Sequence, residues 1–434
     1  MQLSFVFRKR WLWLYPPLLL LSSVLMWLSV TVWLPLPPQV MVMAGGLPTG
    51  TYMGLAVRYR DILEQRGIRV QTITTKSSSE PLQRLQDPQS GVDAAFAQGM
   101  LAHPDMNRVM ALAAVQRSPV WVFTRVQDIT ELSQLKGFRI ATSTTGNSGW
   151  EVTQLLLQHA QLRPSDVTLS TVNSNPEGVR ALIDNQVDAL VLVSGGESES
   201  IRELTRATGI SLIGVDRVTS LVAREPRLKP FVIPQGAIEL RGDLPPRDLT
   251  MVAADLHLLV TTNMHPALQR AMLEAAREIH ELPSFLQRQG EFPNSKEVDF
   301  YLSPVAHAFA NGERPWLERV LPYWWAQLAQ LVIYALLPIL AVTVLALLWI
   351  PNLFNWKINA VLQNFYGELK FLETDIESTA SSRPIEIKNL LQRLDGIEAK
   401  VTALDLPNSH ANRWYTLREH LARARGKLLS MRAR

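Results

Sequence analysis

Two long uncharged apolar runs bracket most of this 434-residue chain and constrain its architecture more than any other feature. The first covers residues 11–38 and directly follows a basic segment, residues 8–10. The second covers residues 327–351, and tryptophans flank it at both ends. Each run is longer than the about 20 residues that an α-helix needs to cross a bilayer. We therefore predict two transmembrane helices, at residues 11–37 and 327–350.

A cleaved signal peptide is the competing interpretation of the first run. The apolar core of such a peptide has about 7–15 residues, whereas the run here is longer. Cleavage near Ala44 would also remove the strand that is expected to open the folded domain. We therefore favour an uncleaved signal anchor in the inner (cytoplasmic) membrane of a bacterium.

The basic segment predicts the orientation, because lysine and arginine next to a span remain in the cytoplasm. Residues 1–10 are then cytoplasmic, residues 38–325 are periplasmic or otherwise extracytoplasmic, and the tail, 351–434, is cytoplasmic. The net charge is +4 for the tail and −3 for residues 38–350, in agreement with this topology.

The region between the spans begins with an apolar strand at Val40–Ala44, followed by a turn rich in glycine and threonine. The next segment has the periodicity of a helix, which Thr49 or Thr51 is expected to cap and Gly67 to end. A strand, a turn and a helix N-terminus leave free backbone N–H groups beside the positive end of a helix dipole. This arrangement suits a carboxylate or another anion.

The same order of elements occurs twice, since a second cycle of strand, polar turn and helix begins near Gly137. A long bent strand at 112–125 and a crossover strand at 252–261 are expected to connect two parallel α/β lobes. The predicted lobes are 39–118 with 262–310, and 126–250. Ligands of such sheets lie beyond the carboxyl ends of the strands, which here places them in a cleft between the lobes.

The tail has heptad-like spacing of apolar residues over 358–376 and 387–404, and a third helix is expected around 414–428. Polar breaks at 381–384 and 406–408 separate these coiled-coil-like helices. Two interpretations remain open: a small bundle that packs on itself, and a module for dimerisation or for binding a partner protein.

The sequence argues against several other classes of protein. It has no cysteine, which excludes a lipoprotein anchor, disulfides and thiolate metal sites. Its eight histidines show no HxH or HExxH spacing, and Ser194 does not lie in a G-x-S-x-G motif. There is no P-loop, and a net charge of +4 does not suggest nucleic acid. We predict no catalytic residues, no metal and no cofactor.

A set of short motifs, taken together and in order, resembles the TAXI-type solute receptors of TRAP transporters, which have a type II periplasmic-binding-protein fold. The resemblance extends over about residues 41–281. Its motifs are the glycine turn, a serine turn, two Val-Asp-Ala strands and a Thr/Ser/Gly turn after a strand: Ala44–Tyr52, Ser77–Glu80, Val92–Gln98, Val187–Val191 and Leu135–Ser148. It implies an α/β, two-lobed type II periplasmic-binding-protein-like domain between two transmembrane helices, with an α-helical cytoplasmic tail.

The resemblance also implies non-covalent binding of a small carboxylate-bearing solute, such as an organic acid or an amino acid. The implied binding residues are glycine, hydroxyl, amide and tyrosine positions at the turns and strand ends: Gly46, Thr49, Thr51, Tyr52, Ser78, Ser79, Gln98, Thr144, Thr145, Asn147 and Ser148. One departure from the family's pattern is Pro48, which removes a backbone N–H from the glycine turn.

The implied function is a membrane-anchored receptor that passes its solute to TRAP-type or other membrane transport subunits. The alternative is a ligand-sensing or scaffold protein whose helical tail binds a protein partner or forms a homo-oligomer.

Overall fold

The computed structural model describes residues 14–48, 50–196, 198–239, 242–284, 286–313, 315–321, 323–378, 384–404, 406 and 410–432. The chain divides into two compact units. The larger is Pro37–Gln327, and the smaller combines Met1–Leu36 with Leu328–Arg434.

The strands are short except for two. In chain order they are β1 (Val40–Gly46), β2 (Arg69–Thr74), β3 (Ala94–Gln98), β4 (Val109–Thr124), β5 (Arg139–Ser143), β6 (Thr168–Val172), β7 (Ala189–Val193), β8 (Ser211–Ile213), β9 (Leu228–Ile233) and β10 (Leu249–Thr261).

The helices alternate with these strands in the larger unit, and the described part of the smaller unit is mainly helical. In chain order they are α1 (Tyr15–Leu28), α2 (Thr51–Gln65), α3 (Glu80–Gln86), α4 (Ser148–His159), α5 (Asn175–Ile183), α6 (Glu199–Arg206), α7 (Val218–Arg224), α8 (Pro266–His280), α9 (Pro304–Ala310), α10 (Tyr323–Leu331), α11 (Leu337–Ser378), α12 (Pro384–Thr402) and α13 (Ala411–Arg432).

Two helical segments are long and apolar enough to cross a membrane: Tyr15–Trp33 and Trp324–Glu377. Each includes one π-helical turn, at Ser29–Trp33 and at Val332–Leu336. In the smaller unit α1 packs against α11, but large apolar side chains such as Trp27 remain exposed. A core helix of a water-soluble domain would bury such side chains.

The tail packs on itself within the smaller unit. Helices α11, α12 and α13 enclose one apolar core, formed by Ile358, Leu362, Leu369, Leu372, Ile376, Ile387, Leu390, Leu394, Ile397, Val401, Leu417, Leu421, Ala424 and Leu428. The second apolar run and the first tail helix are continuous in α11, because residues 352–366 contain neither glycine nor proline to end a helix. Most of the two predicted breaks lies outside the described residues.

The sheet of the larger unit has the strand order β2-β1-β3-β10-β4-β7-β5-β6, with β8 added on β4 and β9 on β10. One lobe contains the parallel strands β1, β2 and β3, and the other contains the parallel strands β5, β6 and β7. Each lobe has its own buried apolar core between sheet and helices.

Strands β4 and β10 pair antiparallel and run through both lobes. Residues 109–119 of β4 pair with β10, and residues 120–124 pair with β7 in the second lobe. Likewise β10 pairs with β9 over Leu249–Ala254 and with β3 over Leu256–Val260. Two continuous strands therefore form the hinge of a periplasmic-binding-protein-like α/β domain, as the apolar runs at 112–125 and 252–261 predict.

The start of α2 differs from the prediction. Its N-cap is Gly50, which has no side chain to accept a hydrogen bond, and Thr51 is the first helical residue. Thr51 is therefore not the cap, and Thr49 lies outside the described residues. The predicted apolar face does form, since Leu55, Tyr59 and other members are buried.

Candidate functional site

A cavity of about 490 Å³ lies between the two lobes of the larger unit. Its wall includes residues of α2 from the first lobe, the hinge residues Gln116, Ser118 and Leu256, and the starts of α4, α5 and α6 from the second lobe. Pockets for small ligands have volumes of about 300–1,000 Å³. The size of this cavity suits a small solute.

The N-terminal ends of four helices meet at this cavity: α2, α4, α5 and α6. Ser174 and Ser198 cap α5 and α6 through their side chains. Among the described residues, the first turn of α2 has neither a side-chain cap nor an acidic residue. Its backbone N–H groups are therefore the ones best suited to receive an anionic group from a ligand.

Six of the residues that the sequence predicts for the site line the cavity: Thr51, Tyr52, Ser78, Gln98, Asn147 and Ser148. The structure places four others off its wall: Gly46, Ser79, Thr144 and Thr145. Gly46 ends β1 with a positive φ of 82°, and its carbonyl accepts a hydrogen bond from the backbone N–H of Thr75. Thr49 lies outside the described residues.

Four of the lining residues form hydrogen bonds to one another across the cleft. The Oγ of Ser78 donates to Oδ1 of Asn147 at 2.9 Å, and the hydroxyl of Ser148 donates to Oε1 of Gln98. The backbone N–H of Ser79 also donates to Oδ1 of Asn147, at 3.0 Å. We call Ser78, Gln98, Asn147 and Ser148 the interlobe bridge. It joins the two lobes.

Two arginines on the cavity wall were not among the residues predicted from the sequence. Arg58 projects from α2 of the first lobe and Arg202 from α6 of the second. Helical spacing relates them to residues at the helix starts, since Arg58 follows Thr51 by two turns and Arg202 follows Ser198 by one. That spacing relates the two arginines to the cavity only once the helix starts are known to lie there.

Tyr52 lines the cavity and also belongs to the core of its lobe. Its ring lies 6.3 Å from the ring of Phe96, and burial raises the pKa of its phenol above the usual value. The hydroxyl is therefore a neutral hydrogen-bond group at physiological pH.

A polar cluster lies on the other face of the hinge from the cavity. Because Leu256 faces the cavity and side chains alternate along a strand, Asp255 and His257 face away from it. Burial raises the pKa of Asp255 to about 6 and lowers the pKa of His257 to about 3, so this imidazole is neutral at pH 7. Arg117, opposite Asp255 in the register, donates to Glu291 at 2.6 Å.

In the described ranges, no cluster of three or more His, Asp or Glu side chains is suited to hold a metal ion.

The family model of the NMT1-like family matches residues 43–291, which is more than half of the chain. The chain belongs to the NMT1-like family. The match spans both lobes, the hinge strands and the interlobe bridge. It identifies the larger unit as a solute-binding domain of the periplasmic-binding-protein type, and such domains are in general not enzymes. No curated protein matches the chain.

Three solved structures illustrate what this NMT1-like chain is similar to. A protein from Bordetella bronchiseptica RB50 is 18% identical, with a TM-score of 0.35, and the match covers 57% of this chain and 74% of that protein's chain. The substrate-binding protein of an amino acid ABC transporter is 15% identical, with a TM-score of 0.36, and the match covers 55% of this chain and 92% of that protein's chain. The effector-binding domain of a BenM variant is 10% identical, with a TM-score of 0.38, and the match covers 56% of this chain and 94% of that domain's chain.

The interlobe bridge leads to a prediction about stability. Asn147→Ala removes the acceptor of two hydrogen bonds from the other lobe, so we expect it to lower the free energy of unfolding by about 2 kcal/mol. Urea unfolding of the purified full-length protein in detergent measures the change. The matched control is Thr145→Ala, an exposed position in the same turn, with an expected change within about 0.5 kcal/mol. Equal stability of the two variants would show that the bridge does not hold the lobes together.

Proposed function

We propose that this chain is a membrane-anchored receptor for a small carboxylate-bearing solute, with its two-lobed domain outside the cytoplasmic membrane. The observation that carries the proposal is the cavity between the lobes, lined by hydroxyls, by an uncapped helix N-terminus and by two guanidinium groups. These are the groups that bind carboxylates in proteins. Membership of the NMT1-like family supports the same function.

The hinge provides a mechanism for capture. Because β4 and β10 are continuous through both lobes, bending them near residues 116–119 and 253–256 opens or closes the cleft without breaking either lobe. A solute shifts the domain towards the closed form only if it binds that form more tightly. Contacts to both lobes at once give this difference in affinity.

Delivery to a TRAP-type transporter is the part of the proposal that rests on the resemblance of the ordered motifs. The two apolar helical segments, with their exposed side chains, serve in this proposal as anchors on either side of the receptor domain. An anchored receptor remains at the membrane surface, where its transport subunits lie.

A second candidate is a ligand sensor or scaffold, and the self-packed tail favours it. The bundle of α11, α12 and α13 has its own apolar core and continues directly from the second apolar segment through α11. Such a tail can present a folded surface to a protein partner. Crosslinking of the tail in membranes, with and without a bound solute, distinguishes the two: a ligand-dependent change in the crosslinked species favours the sensor.

The test of the receptor is thermal unfolding of the purified full-length protein with single solutes: pyruvate, L-glutamate, glutarate, L-alanine and inorganic phosphate. A solute at 100 times its dissociation constant stabilises the folded state by about 2.7 kcal/mol, which raises the melting temperature measurably. We expect a carboxylate to do so, and Thr51→Ala in the cavity wall to weaken the effect. Thr145→Ala is the control because it lies off the wall. No shift with any carboxylate would contradict the proposal and favour the scaffold.

A further inference from the structure

Asp255 lies at the point where the hinge passes from one lobe to the other. Strand β10 pairs with β9 as far as Ala254, on the side of the second lobe, and with β3 of the first lobe from Leu256 onwards. The register of β10 against β4 shifts directly afterwards, between Leu256 and His257. A change in the angle between the lobes therefore alters the surroundings of Asp255 more than those of a residue inside either lobe.

A segment that follows α8 covers the face of the hinge on which Asp255 lies. This segment, residues 286–303, is called the strap. It runs along the first-lobe half of β4, where the backbones of Asn294 and Ala114 exchange two hydrogen bonds of 2.8 Å. It also reaches β9, because Nζ of Lys229 lies 3.9 Å from Oε2 of Glu297. The strap therefore contacts both sides of the hinge.

Arg117 connects the same elements beside Asp255. It stands opposite Asp255 in the register of β4, and its guanidinium donates to Oε1 of Glu291 in the strap at 2.6 Å. The guanidinium carbon lies 5.5 Å from the ring centroid of Phe231 on β9 and 5.8 Å from that of Phe292 in the strap. The cation nearest to Asp255 in the register is thus held by an anion and two aromatic rings that belong to other elements.

This arrangement compensates the carboxyl of Asp255 poorly. Its Oδ1 is buried and has no hydrogen-bond partner among the described residues. The charged and titratable groups around it come from every neighbouring element: Arg117 on β4, Lys229 on β9, His257 on β10, and Glu291, Glu297 and Asp299 in the strap. Burial raises the pKa of Asp255 to about 6, the charges of Glu297 and Asp299 add to the shift, and those of Arg117 and Lys229 oppose it. An ionised carboxylate is therefore costly at this hinge angle.

We propose that ionisation of Asp255 opens the cleft, so that the hinge is a pH-sensitive switch. In the structure the interlobe bridge joins the lobes, and it is in this joined form that Oδ1 of Asp255 has no partner in the described part of the chain. A hinge angle that admits water to Asp255, or turns Arg117 towards it, is favoured once the carboxylate is charged. The joined form is thus fully favoured below about pH 4 and loses this advantage as the pH rises through about 6.

The experiment measures the separation of the lobes without any solute. Because the sequence has no cysteine, spin labels can be attached at two chosen positions of the full-length protein in detergent. Glu64→Cys on α2 and Glu203→Cys on α6 are exposed positions off the cavity wall, one on each lobe. In double electron–electron resonance, we expect the population with the longer separation to be roughly threefold larger, or more, at pH 8 than at pH 5. The control pair lies within the first lobe, Glu64→Cys with Asp105→Cys, and its separation is expected to be the same at both pH values.

The same pair of labels across the cleft is then measured in two variants. Asp255→Asn keeps a neutral side chain at every pH, so we expect the pH 5 distribution at both pH values. Asp299→Asn removes a neighbouring carboxyl of the same cluster and is expected to retain the response, because Asp299 lies in the strap and not on a hinge strand. His257 remains neutral at both pH values, since burial lowers its pKa to about 3.

Three results would overturn the switch: equal separation of the lobes at pH 5 and pH 8, a shorter separation at pH 8, or a pH response that survives in Asp255→Asn. A response that disappears only in Asp299→Asn would equally contradict the role of Asp255. Because no solute is present, none of these results bears on the proposed receptor function, which the thermal unfolding test decides separately.

Discussion

Asp255→Asn is expected to raise the free energy of unfolding by about 3 kcal/mol at pH 7.5 and to change it little near pH 4. Burial in the hinge raises the pKa of Asp255 from 3.8 to about 6, although the charges of Arg117 and Lys229 oppose this shift. One pKa unit corresponds to about 1.4 kcal/mol, which gives the expected gain at high pH. Oδ1 of Asp255 is also buried and has no hydrogen-bond partner among the described residues.

The sign of this pH dependence follows from the direction of the shift. Because the pKa is raised in the folded protein, the neutral carboxyl of Asp255 stabilises the fold fully below about pH 4. That stabilisation is lost as the pH rises through about 6, where the buried group ionises. Asparagine resembles the neutral acid at every pH, so it retains the stabilisation.

Urea unfolding of the full-length protein and of Asp255→Asn between pH 4.5 and 8 measures this difference. The gap between the two curves is expected to widen from low pH to about pH 6 and then to remain constant. Asp105→Asn is the matched control, because Asp105 is exposed in a loop of the same unit, and its expected effect is within about 0.5 kcal/mol. A loss of stability in Asp255→Asn at pH 7.5 would instead mean that Arg117 and Lys229 compensate the buried charge.

The two-lobed fold is predictable from the sequence because its strands are short apolar runs that end in polar turns. The two hinge strands were also predictable, since the apolar runs around Pro119 and at 252–261 are longer than one lobe requires. Strand β9 was not predicted. It contains Pro230, which lacks a backbone N–H and is tolerated here because β9 lies at an edge, where β10 is its one partner among the described strands.

The candidate site was predictable only in part, for a physical reason. The sequence identifies polar residues at the carboxyl ends of strands, and this locates Ser78, Gln98, Asn147 and Ser148 at the cleft. The sequence does not show which residue of the opposite lobe each of these side chains contacts. In the structure the four form hydrogen bonds to one another across the cleft. Arg58 and Arg202 lie within helices, where an exposed arginine is usual, so only the folded cavity distinguishes them from other surface arginines.

Trp121→Ala is expected to lower the free energy of unfolding by about 3–5 kcal/mol, the range for removing a large aromatic side chain from a core. Trp121 is fully buried in the second-lobe part of β4 and stacks on Phe123 at 6.1 Å between ring centroids. Urea unfolding measures the loss. Tyr301→Ala is the control because that side chain is 71% exposed in the same unit, so the expected change is small.

Trp121→Phe distinguishes the effect of aromatic packing from the effect of the hydrogen bond between Trp121 and the cavity wall. The indole Nε1–H of Trp121 donates to the carbonyl of Ser194 at 2.8 Å, and Ser194 and Gly195 line the cavity. Phenylalanine retains the aromatic packing but leaves this buried carbonyl unpaired, at a cost of about 1–3 kcal/mol. Because the cavity wall at Ser194 then loses its anchor, we also expect weaker solute binding. Unchanged binding in Trp121→Phe would show that the wall at Ser194 is held without the indole, and that stability and recognition are separate at this strand.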